Sequence, residues 1–288
     1  MLDLLFVHWN VNPVMINLGF FSLRWYSVLF VSGFILGWFI FRWFFRREGV
    51  KEELLDSLLY TLLIGTIVGA RLGHCIFYQP DYFLASTKGF FEMLIPVKLF
   101  GDGVISSLTS GQWRFIGYEG LASHGGTLGI IIALLLYSRR MKMPLIYLFD
   151  TVCVSVPFVS CCIRLGNLMN SEIIGQPTTV PWAFIFERVD MLPRHPGQLY
   201  EAIAYALLAL IVYRIYRKTK ANSLTGTGFY FGLILFYIFT FRFFIELTKE
   251  NQEAFEAGML LNMGQILSIP FIIIGAIFIT KALRKRRR

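Results

Sequence analysis

Seven long apolar runs constrain the fold of this chain more than any other feature of its sequence. A helix needs about 17–25 mainly apolar residues to cross the hydrocarbon of a bilayer, and each run reaches that length. The runs cover residues 20–45, 54–78, 121–138, 145–163, 198–216, 226–247 and 260–283. They predict an all-α integral membrane protein with about seven transmembrane helices, in a single membrane domain over residues 1–288.

The composition excludes a water-soluble protein. Only 16% of the residues are charged, whereas a soluble domain carries about 25%, since water must wet its surface. The net charge of +9 comes from short clusters between the apolar runs, and these form no long basic face that would follow a nucleic acid. We therefore expect membrane lipid around the chain and no nucleic-acid partner.

The placement of the basic residues predicts the orientation of the helices, because Lys and Arg accumulate in cytoplasmic loops. Sixteen follow the first, third, fifth and seventh runs: Arg46, Arg47, Lys51, Arg139, Arg140, Lys142, Arg214, Arg217, Lys218, Lys220, Lys281, Arg284, Lys285, Arg286, Arg287 and Arg288. Six lie in the opposite loops: Lys88, Lys98, Arg114, Arg188, Arg194 and Lys249. The N-terminus is therefore predicted outside, and the basic tail 284–288 in the cytoplasm.

Two of the predicted outer segments are too long to be simple connectors. Residues 79–120 are rich in apolar and aromatic types and are expected to form a long loop with interfacial segments. Residues 167–197 are more polar and are expected to form a small head. Loops longer than about 12–15 residues are usually functional or disordered, and the aromatic content argues against disorder. We therefore expect the activity on the outer side.

Several ionisable residues fall within or beside the apolar runs, where an arginine costs about 2.5–3.5 kcal/mol and so usually faces a polar cavity. They are Arg24, Arg42, Arg71, Arg164, Arg242, Asp56, Asp150, Glu201 and Glu246. Arg42 lies near the inner end of its run, where its side chain is expected to reach the headgroups. Arg164 and Arg242 flank the outer segments and suit a lipid phosphate, because a guanidinium binds phosphate through two parallel hydrogen bonds. Arg242 also stands four residues before Glu246, so a simple ion pair is the alternative.

Three short stretches concentrate polar and small residues at the outer ends of the predicted helices. Residues 123–129 read Ser-His-Gly-Gly-Thr-Leu-Gly, in which small residues allow close approach of a helix or of a lipid. Residues 164–175 read Arg-Leu-Gly-Asn-Leu-Met-Asn-Ser-Glu-Ile-Ile-Gly, with more polar groups than a helix cap requires. Residues 192–201 read Leu-Pro-Arg-His-Pro-Gly-Gln-Leu-Tyr-Glu, a turn that leads into an apolar run.

Together these stretches resemble, in order and spacing, the motifs of the prolipoprotein diacylglyceryl transferase family. Trp25-Tyr26, the stretch 69–73, the pair Arg242 and Glu246, and the stretch 263–270 extend the likeness over nearly the whole chain. The chain departs from the usual family pattern at Arg24, Thr127, Ser171 (usually Gly), Lys249 (often Arg) and in the longer segment 88–118.

The resemblance implies a multi-pass enzyme of the bacterial cytoplasmic (inner) membrane. Such an enzyme transfers the diacylglyceryl group of phosphatidylglycerol to the lipobox cysteine of a prolipoprotein signal peptide, which forms a thioether and releases glycerol phosphate. Residues with a predicted catalytic role are His124, Arg164 and Arg242. Residues with a predicted substrate-binding role are Tyr26, Arg71, Gly125, Gly126, Asn167, Asn170, Glu172, Gly175, His195, Glu201 and Glu246.

The cysteine thiol has a pKa near 8.5 and needs a base such as His124, although His124 would equally well orient the substrate. No metal or organic cofactor is expected. A seven-span transporter or receptor for a lipid or small molecule is the alternative, but it would need polar residues through the full depth of the membrane.

The charge pattern makes the topology testable with a reporter that is active only outside the cytoplasm. Fused after Arg288, the reporter should be silent, because the basic tail is predicted to remain in the cytoplasm. Inserted within residues 180–190, it should be active. A strong signal from the C-terminal fusion would contradict the predicted orientation.

Overall fold

The chain is mostly helical in the computed structural model, which describes residues 6–18, 22–95, 97–115, 122–221, 223–249 and 259–287. The long helices are α1 (Trp25–Glu48), α2 (Glu52–Phe77), α6 (Ser123–Met141), α7 (Leu145–Asn170), α8 (Gly197–Lys218), α9 (Phe229–Ile245) and α10 (Met263–Arg287). Short helices are α3 (Pro80–Phe83), α4 (Thr87–Leu94), α5 (Val104–Thr109) and a 3₁₀ turn (Glu246–Thr248). Short strands are β1 (Val7–Trp9), β2 (Val14–Asn17), β3 (Ser22–Arg24), β4 (Val97–Leu99), β5 (Trp113–Phe115), β6 (Phe184–Phe186) and β7 (Pro193–Arg194).

Within the described residues, six helices are long and apolar enough to cross a membrane, which confirms the prediction of a helical membrane protein. They are Trp25–Glu48, Glu52–Phe77, Leu145–Asn170, Gly197–Lys218, Phe229–Thr248 and Met263–Lys285. The remaining predicted span corresponds to α6, a helix of 19 residues that carries Arg139 and Arg140 in its last turn. The count of seven stays a prediction. Phe20 and Leu121, where two predicted spans begin, lie outside the described residues.

The chain divides into two compact units. One comprises Met1–Lys51 and Ile146–Arg288, and the other comprises Glu52–Leu145. We call them the first and the second unit and describe each by itself.

In the second unit, α2 and α6 pack through glycines. A Cβ atom on Gly69 would lie 2.4 Å from the carbonyl oxygen of Gly125 and 2.7 Å from Cα of Gly129. A Cβ on Gly73 would lie 2.7 Å from Cα of Gly125. Because only glycine permits these distances, the backbones of the two helices approach closely, as small residues allow in membrane helices.

Buried carboxylates of the first unit fix the connection between α8 and α9. Asp150 of α7 is fully buried and accepts hydrogen bonds from the backbone N–H groups of Gly226 (2.9 Å), Gly228 (2.8 Å) and Phe231 (2.9 Å). A carboxylate at the start of a helix satisfies otherwise unpaired N–H groups and interacts favourably with the helix dipole. Glu48 of α1 accepts a hydrogen bond from the Tyr216 hydroxyl at 2.7 Å. These bonds fix the start of α9.

The predicted polar head contains a small sheet that the sequence did not indicate. Strand β6 pairs in parallel with β1 and antiparallel with β7, and the Trp9 indole donates to the carbonyl of Leu168 at 3.0 Å. Arg194 donates to both carboxylate oxygens of Asp190, at 2.6–3.1 Å. These hydrogen bonds lower the pKa of the Asp190 carboxyl. The N-terminal strand and the ion pair thus hold the segment that links α7 to α8.

The glycine contacts of the second unit predict a site-specific effect on stability. Gly69→Ala should lower the free energy of unfolding by about 1–3 kcal/mol, the usual cost of overpacking, because its Cβ would meet the backbone of α6. Gly37→Ala in α1 is the matched control, since its Cβ would meet the Val159 and Ser155 side chains at ordinary distances of 3.7 and 4.0 Å. Thermal unfolding of both purified variants in the same detergent measures the difference. Equal melting temperatures would contradict the close approach of α2 and α6.

Candidate active site

The C-terminal end of α7 aligns three polar side chains. Arg164, Asn167 and Asn170 follow one another at intervals of three residues, so they share one face of the helix. The Asn167 amide donates to Glu172 at 3.2 Å, and the Asn170 amide donates to the other carboxylate oxygen at 3.1 Å. Glu172 is thus oriented by the two asparagines of the same motif.

The turn after α7 has an unusual backbone. Ser171 and Ile173 both have φ of 56°, in the left-handed region. That conformation costs an L-residue roughly 1–2 kcal/mol and is rare for a β-branched residue such as Ile. A glycine at position 171 would adopt this conformation without that cost. Strain of this kind concentrates at binding and active sites.

Several buried polar side-chain atoms at the end of α7, in the turn after it and at the start of α8 have no hydrogen-bond partner in the described part of the chain. They are the side-chain oxygens of Asn167, Asn170 and Ser171, and both amide atoms of Gln198. Buried polar groups are normally paired. These atoms are therefore suited to bind donors and acceptors of a bound molecule.

An ion network joins α7, α8 and the end of α9. Arg164 Nε lies 3.0 Å from Glu201 Oε2, and Lys249 Nζ lies 3.3 Å from Glu201 Oε1. Lys249 Nζ also lies 3.3 Å from Glu246 Oε1, which is 3.7 Å from Arg242 Nε. Both predicted arginines therefore belong to one alternating chain of charges. The ion pair between Arg242 and Glu246, which the sequence left as the alternative to phosphate binding, is present within it.

The exposure of these side chains is graded. Glu201 and Glu246 are 1% and 5% exposed, whereas Arg164 is 21% and Arg242 is 44% exposed. The buried carboxylates thus hold each arginine at its Nε atom, and part of each arginine side chain remains exposed. Such a pair of arginines can bind an anion with parallel hydrogen bonds.

Gly175 connects the ends of three segments. Its N–H donates to the carbonyl of His195 at 2.9 Å, and the next residue, Gln176, donates from its side chain to the carbonyl of Lys249 at 2.6 Å. A Cβ on Gly175 would lie 2.6 Å from the His195 side chain and 2.7 Å from the Thr248 carbonyl. Gly175 therefore contributes by its lack of a side chain, which brings the second and third motifs to the end of α9.

Tyr26 and Glu246 also rest against glycines. A Cβ on Gly166 would lie 2.8 Å from the Tyr26 ring, and a Cβ on Gly264 of α10 would lie 2.7 Å from the Glu246 carboxyl carbon. Tyr26, predicted to bind substrate, thus packs directly on the helix that carries Arg164. Gly264 of α10 leaves the space that the Glu246 carboxyl group of the ion network occupies.

His195 lies beside an apolar cavity of about 510 Å³. Its Nδ1 is 3.1 Å from the Tyr200 hydroxyl, whose oxygen accepts a hydrogen bond from the Trp182 indole at 2.8 Å. Burial lowers the pKa of the His195 imidazole and so favours the neutral form of the ring. Ile203 and Tyr237 line the same cavity.

The remaining predicted site residues belong to the second unit. His124 is exposed in the first turn of α6. Gly125 packs against α2 as described above. A Cβ atom on Gly126 would lie 3.5 Å from the Cβ of Ala70. Small residues in this stretch were expected to allow close approach either of a helix or of a lipid. Helix packing accounts for Gly125.

Arg71 of the second unit is 5% exposed. It donates to the carbonyl oxygens of Glu92 (2.9 Å) and Met93 (3.4 Å), and its guanidinium lies over the Phe83 ring, 4.9 Å from the centroid. These contacts attach α2 to α4. A substrate contact of Arg71 stays a prediction.

Sequence reasoning missed two members of the site. Lys249 was noted only as a departure from the family pattern, and Gly264 only as part of a motif. The signal for Lys249 was its spacing, since it follows Glu246 by three residues and so faces the same way on a helical turn. The contact of Gly264 with Glu246 leaves no local signal, because it joins α10 to the end of α9.

Comparison with known proteins gives consistent matches over most of the chain. A family profile described as prolipoprotein diacylglyceryl transferase matches residues 13–281. A relative from Bacteroides fragilis, named phosphatidylglycerol–prolipoprotein diacylglyceryl transferase, is 50% identical over 275 residues, which cover 96% of this chain and 95% of the relative. Relatives of the same name from Tolumonas auensis and Chloroherpeton thalassium are 40% and 39% identical over 281 residues. These matches cover 97% of this chain and 99% and 96% of the two relatives.

Proposed function

The chain belongs to the prolipoprotein diacylglyceryl transferase family, and on that premise we propose that Arg164 and Arg242 together bind the phosphate of phosphatidylglycerol. The chain transfers the diacylglyceryl group of phosphatidylglycerol to a prolipoprotein. The matched relatives are named for this transfer, so a transporter or receptor without transferase chemistry gains no support.

The reaction defines what the site must do. The sulfur of the prolipoprotein cysteine attacks the glyceryl carbon that bears the phosphate, and a C–S bond forms. The C–O bond to the phosphate breaks, its electron pair stays on the phosphate oxygen, and glycerol phosphate leaves. The phosphate gains negative charge along this path, so preorganised cations stabilise the transition state.

The ion network is the observation that carries the phosphate proposal. Glu201 and Glu246 are buried and pair with the Nε atoms of Arg164 and Arg242, while part of each arginine side chain remains exposed. A phosphate with two accessible oxygens matches the two parallel donors of a guanidinium. As the leaving group becomes a dianion, these cations bind it more strongly than the substrate, which is the condition for acceleration.

We assign headgroup hydroxyls to the amides of the signature. Asn167 and Asn170 carry buried side-chain oxygens without a partner in the described chain, and the glycerol headgroup offers hydroxyl donors. Glu172 keeps both asparagines oriented. Tyr26 and His195 contribute hydrogen bonds at the edges of the headgroup site. Gly175, which has no side chain, allows the segments around that site to pack closely.

His124 is our proposed base for the cysteine thiol. A thiol is a weak nucleophile until it loses its proton, and an imidazole titrates near neutral pH. His124 is exposed at the first turn of α6, so its ring is available to a second substrate. Gly125 beside it lets α6 approach α2, and Arg71 attaches α2 to α4, so both support the position of this helix. Gly126 leaves the space beside His124 free of a side chain.

We further propose the topology that the charge pattern favours. Seven helices cross the bacterial inner membrane, with α6 as the third, and the N-terminus lies outside. The segment 79–120 and the head over 167–197 then lie on the periplasmic side. The uneven distribution of Lys and Arg supports this arrangement.

Arg164→Lys tests the phosphate proposal. Lysine keeps the charge but loses the two-pronged geometry, so kcat/KM should fall by well over tenfold, more than about 1.4 kcal/mol in the barrier. Arg42→Lys is the matched control, because Arg42 lies near the inner end of α1 and lies over the Trp38 ring, an interaction that lysine also makes. Transfer to a lipobox peptide by the purified variants in phosphatidylglycerol micelles measures both. Equal activity of the two variants would contradict the special role of Arg164.

His124→Gln separates chemistry from binding. If the imidazole accepts the thiol proton, turnover should fall by about 10²–10⁴-fold, while phosphatidylglycerol binding stays near normal, because arginines hold the phosphate. Binding, turnover and thermal stability should be measured on the same purified variant. Near-normal turnover would show that His124 is not the base. Loss of phosphatidylglycerol binding in proportion to the loss of turnover would show that His124 binds the lipid instead.

A further inference from the structure

Lys249 is a third cation of the ion network, and the mechanism above gives it no role. Its side chain is 9% exposed, and its ammonium lies 3.3 Å from one oxygen of Glu201 and 3.3 Å from one oxygen of Glu246. Glu201 and Glu246 are the carboxylates that anchor Arg164 and Arg242. Lys249 is therefore the link between the two halves of the proposed phosphate site.

We propose that Lys249 is a positioning residue that sets the spacing and the net charge of the arginine pair, so that the site accepts one phosphodiester anion. The inference rests on the proposed function, in which Arg164 and Arg242 bind the lipid phosphate. It goes further in naming the residue that makes the pair one site and that leaves this site one excess positive charge for the phosphodiester.

The charges of the network support this role. Arg164, Arg242 and Lys249 supply three positive charges, and Glu201 and Glu246 supply two negative charges. The excess of one positive charge equals the charge that a phosphodiester brings. Without Lys249 the two carboxylates would neutralise both arginines, and a phosphate would enter a site with no net attraction. Glu172 lies outside these pairs, since it is exposed and held by the amides of Asn167 and Asn170.

The backbone fixes where the ammonium lies. The Lys249 carbonyl accepts from the Gln176 side chain at 2.6 Å, and its N–H donates to the carbonyl of Glu246 at 3.2 Å. Gly175 pairs with Lys249 as an isolated β-bridge. The lysine is thus attached to the signature motif after α7 and to the turn after α9. Its side chain sits between the carboxylates of two different helical segments.

The geometry also orients the arginines. Glu201 pairs through one oxygen with Arg164 and through the other with Lys249, and Glu246 pairs through a single oxygen with Arg242 and Lys249. Two partners limit the rotation of each carboxylate. Lys249 therefore restricts Glu201 and Glu246, and through them the direction of each guanidinium. Preorganised donors of this kind are the main source of electrostatic stabilisation in active sites.

Lys249→Met and Lys249→Arg provide the first test. Methionine keeps much of the volume and removes the charge, so KM for phosphatidylglycerol should rise by about tenfold or more, as expected when one member of a buried charge network is removed. Arginine keeps the charge and should restore KM to within about threefold. Lys98→Met is the matched control, because Lys98 also pairs with a buried carboxylate, Glu92, at 3.4 Å. It should leave KM for the lipid unchanged.

The double variant Lys249→Met with Glu246→Gln tests the charge argument separately. It removes one cation and one carboxylate, so the network regains an excess of one positive charge. The double variant should therefore bind phosphatidylglycerol more tightly than Lys249→Met alone. A purely structural lysine predicts the reverse, because a second substitution would add damage. Binding to purified full-length protein in micelles, with thermal stability, measures both variants. If the single variant fails to fold, the double variant is compared with the unaltered protein, whose excess of one positive charge it shares and whose affinity it should approach.

The outcomes separate this inference from the phosphate proposal. A normal KM in a folded Lys249→Met variant, or a double variant no tighter than the single one, would overturn the role of Lys249 even if Arg164→Lys abolished activity. If instead Arg164→Lys stayed active, the phosphate proposal itself would fall.

Discussion

A carboxylate in the interior of a membrane protein must be paired, and Glu201 is the group from which the proposed site is built. It is 1% exposed, and an uncompensated charge at such a place costs several kcal/mol. Arg164 forms an ion pair with one of its oxygens and Lys249 with the other. Since these partners come from α7 and from the turn after α9, this one carboxylate on α8 fixes three segments. Removing it would leave two cations facing each other.

Glycines provide the space in which the side chains of the proposed site pack. Gly166 admits the Tyr26 ring, Gly175 admits His195, and Gly264 admits the Glu246 carboxyl group, each at a distance that a Cβ would forbid. The charged groups can meet only because the backbones come this close. The motifs therefore combine charged residues with glycines for a physical reason. The charged residues make the ion pairs, and the glycines, which lack a Cβ, allow the backbones to come close enough for them to form.

The sequence predicted the helices well and the contacts only in part. Apolar runs give helix positions to within a few residues because the bilayer demands a minimum length, as the starts of α7 and α8 illustrate. The pairing of Arg242 with Glu246 was predictable from their spacing. The pairing of Arg164 with Glu201 was not, because it joins two helices and depends on how they pack. The sheet of β1, β6 and β7 escaped prediction for the same reason, since strands of two or three residues give no periodic pattern.

The network also explains how arginines can remain partly exposed in a largely apolar protein. A lone guanidinium would turn toward water or headgroups, and its direction would vary. Here each buried carboxylate attracts one arginine. Lys249 pairs with both carboxylates, so neither carboxylate is bound by its arginine alone. The desolvation of Glu201 and Glu246 occurs during folding, before any lipid binds. An arriving phosphate therefore meets donors that are already oriented, and little of its binding energy is lost in ordering them.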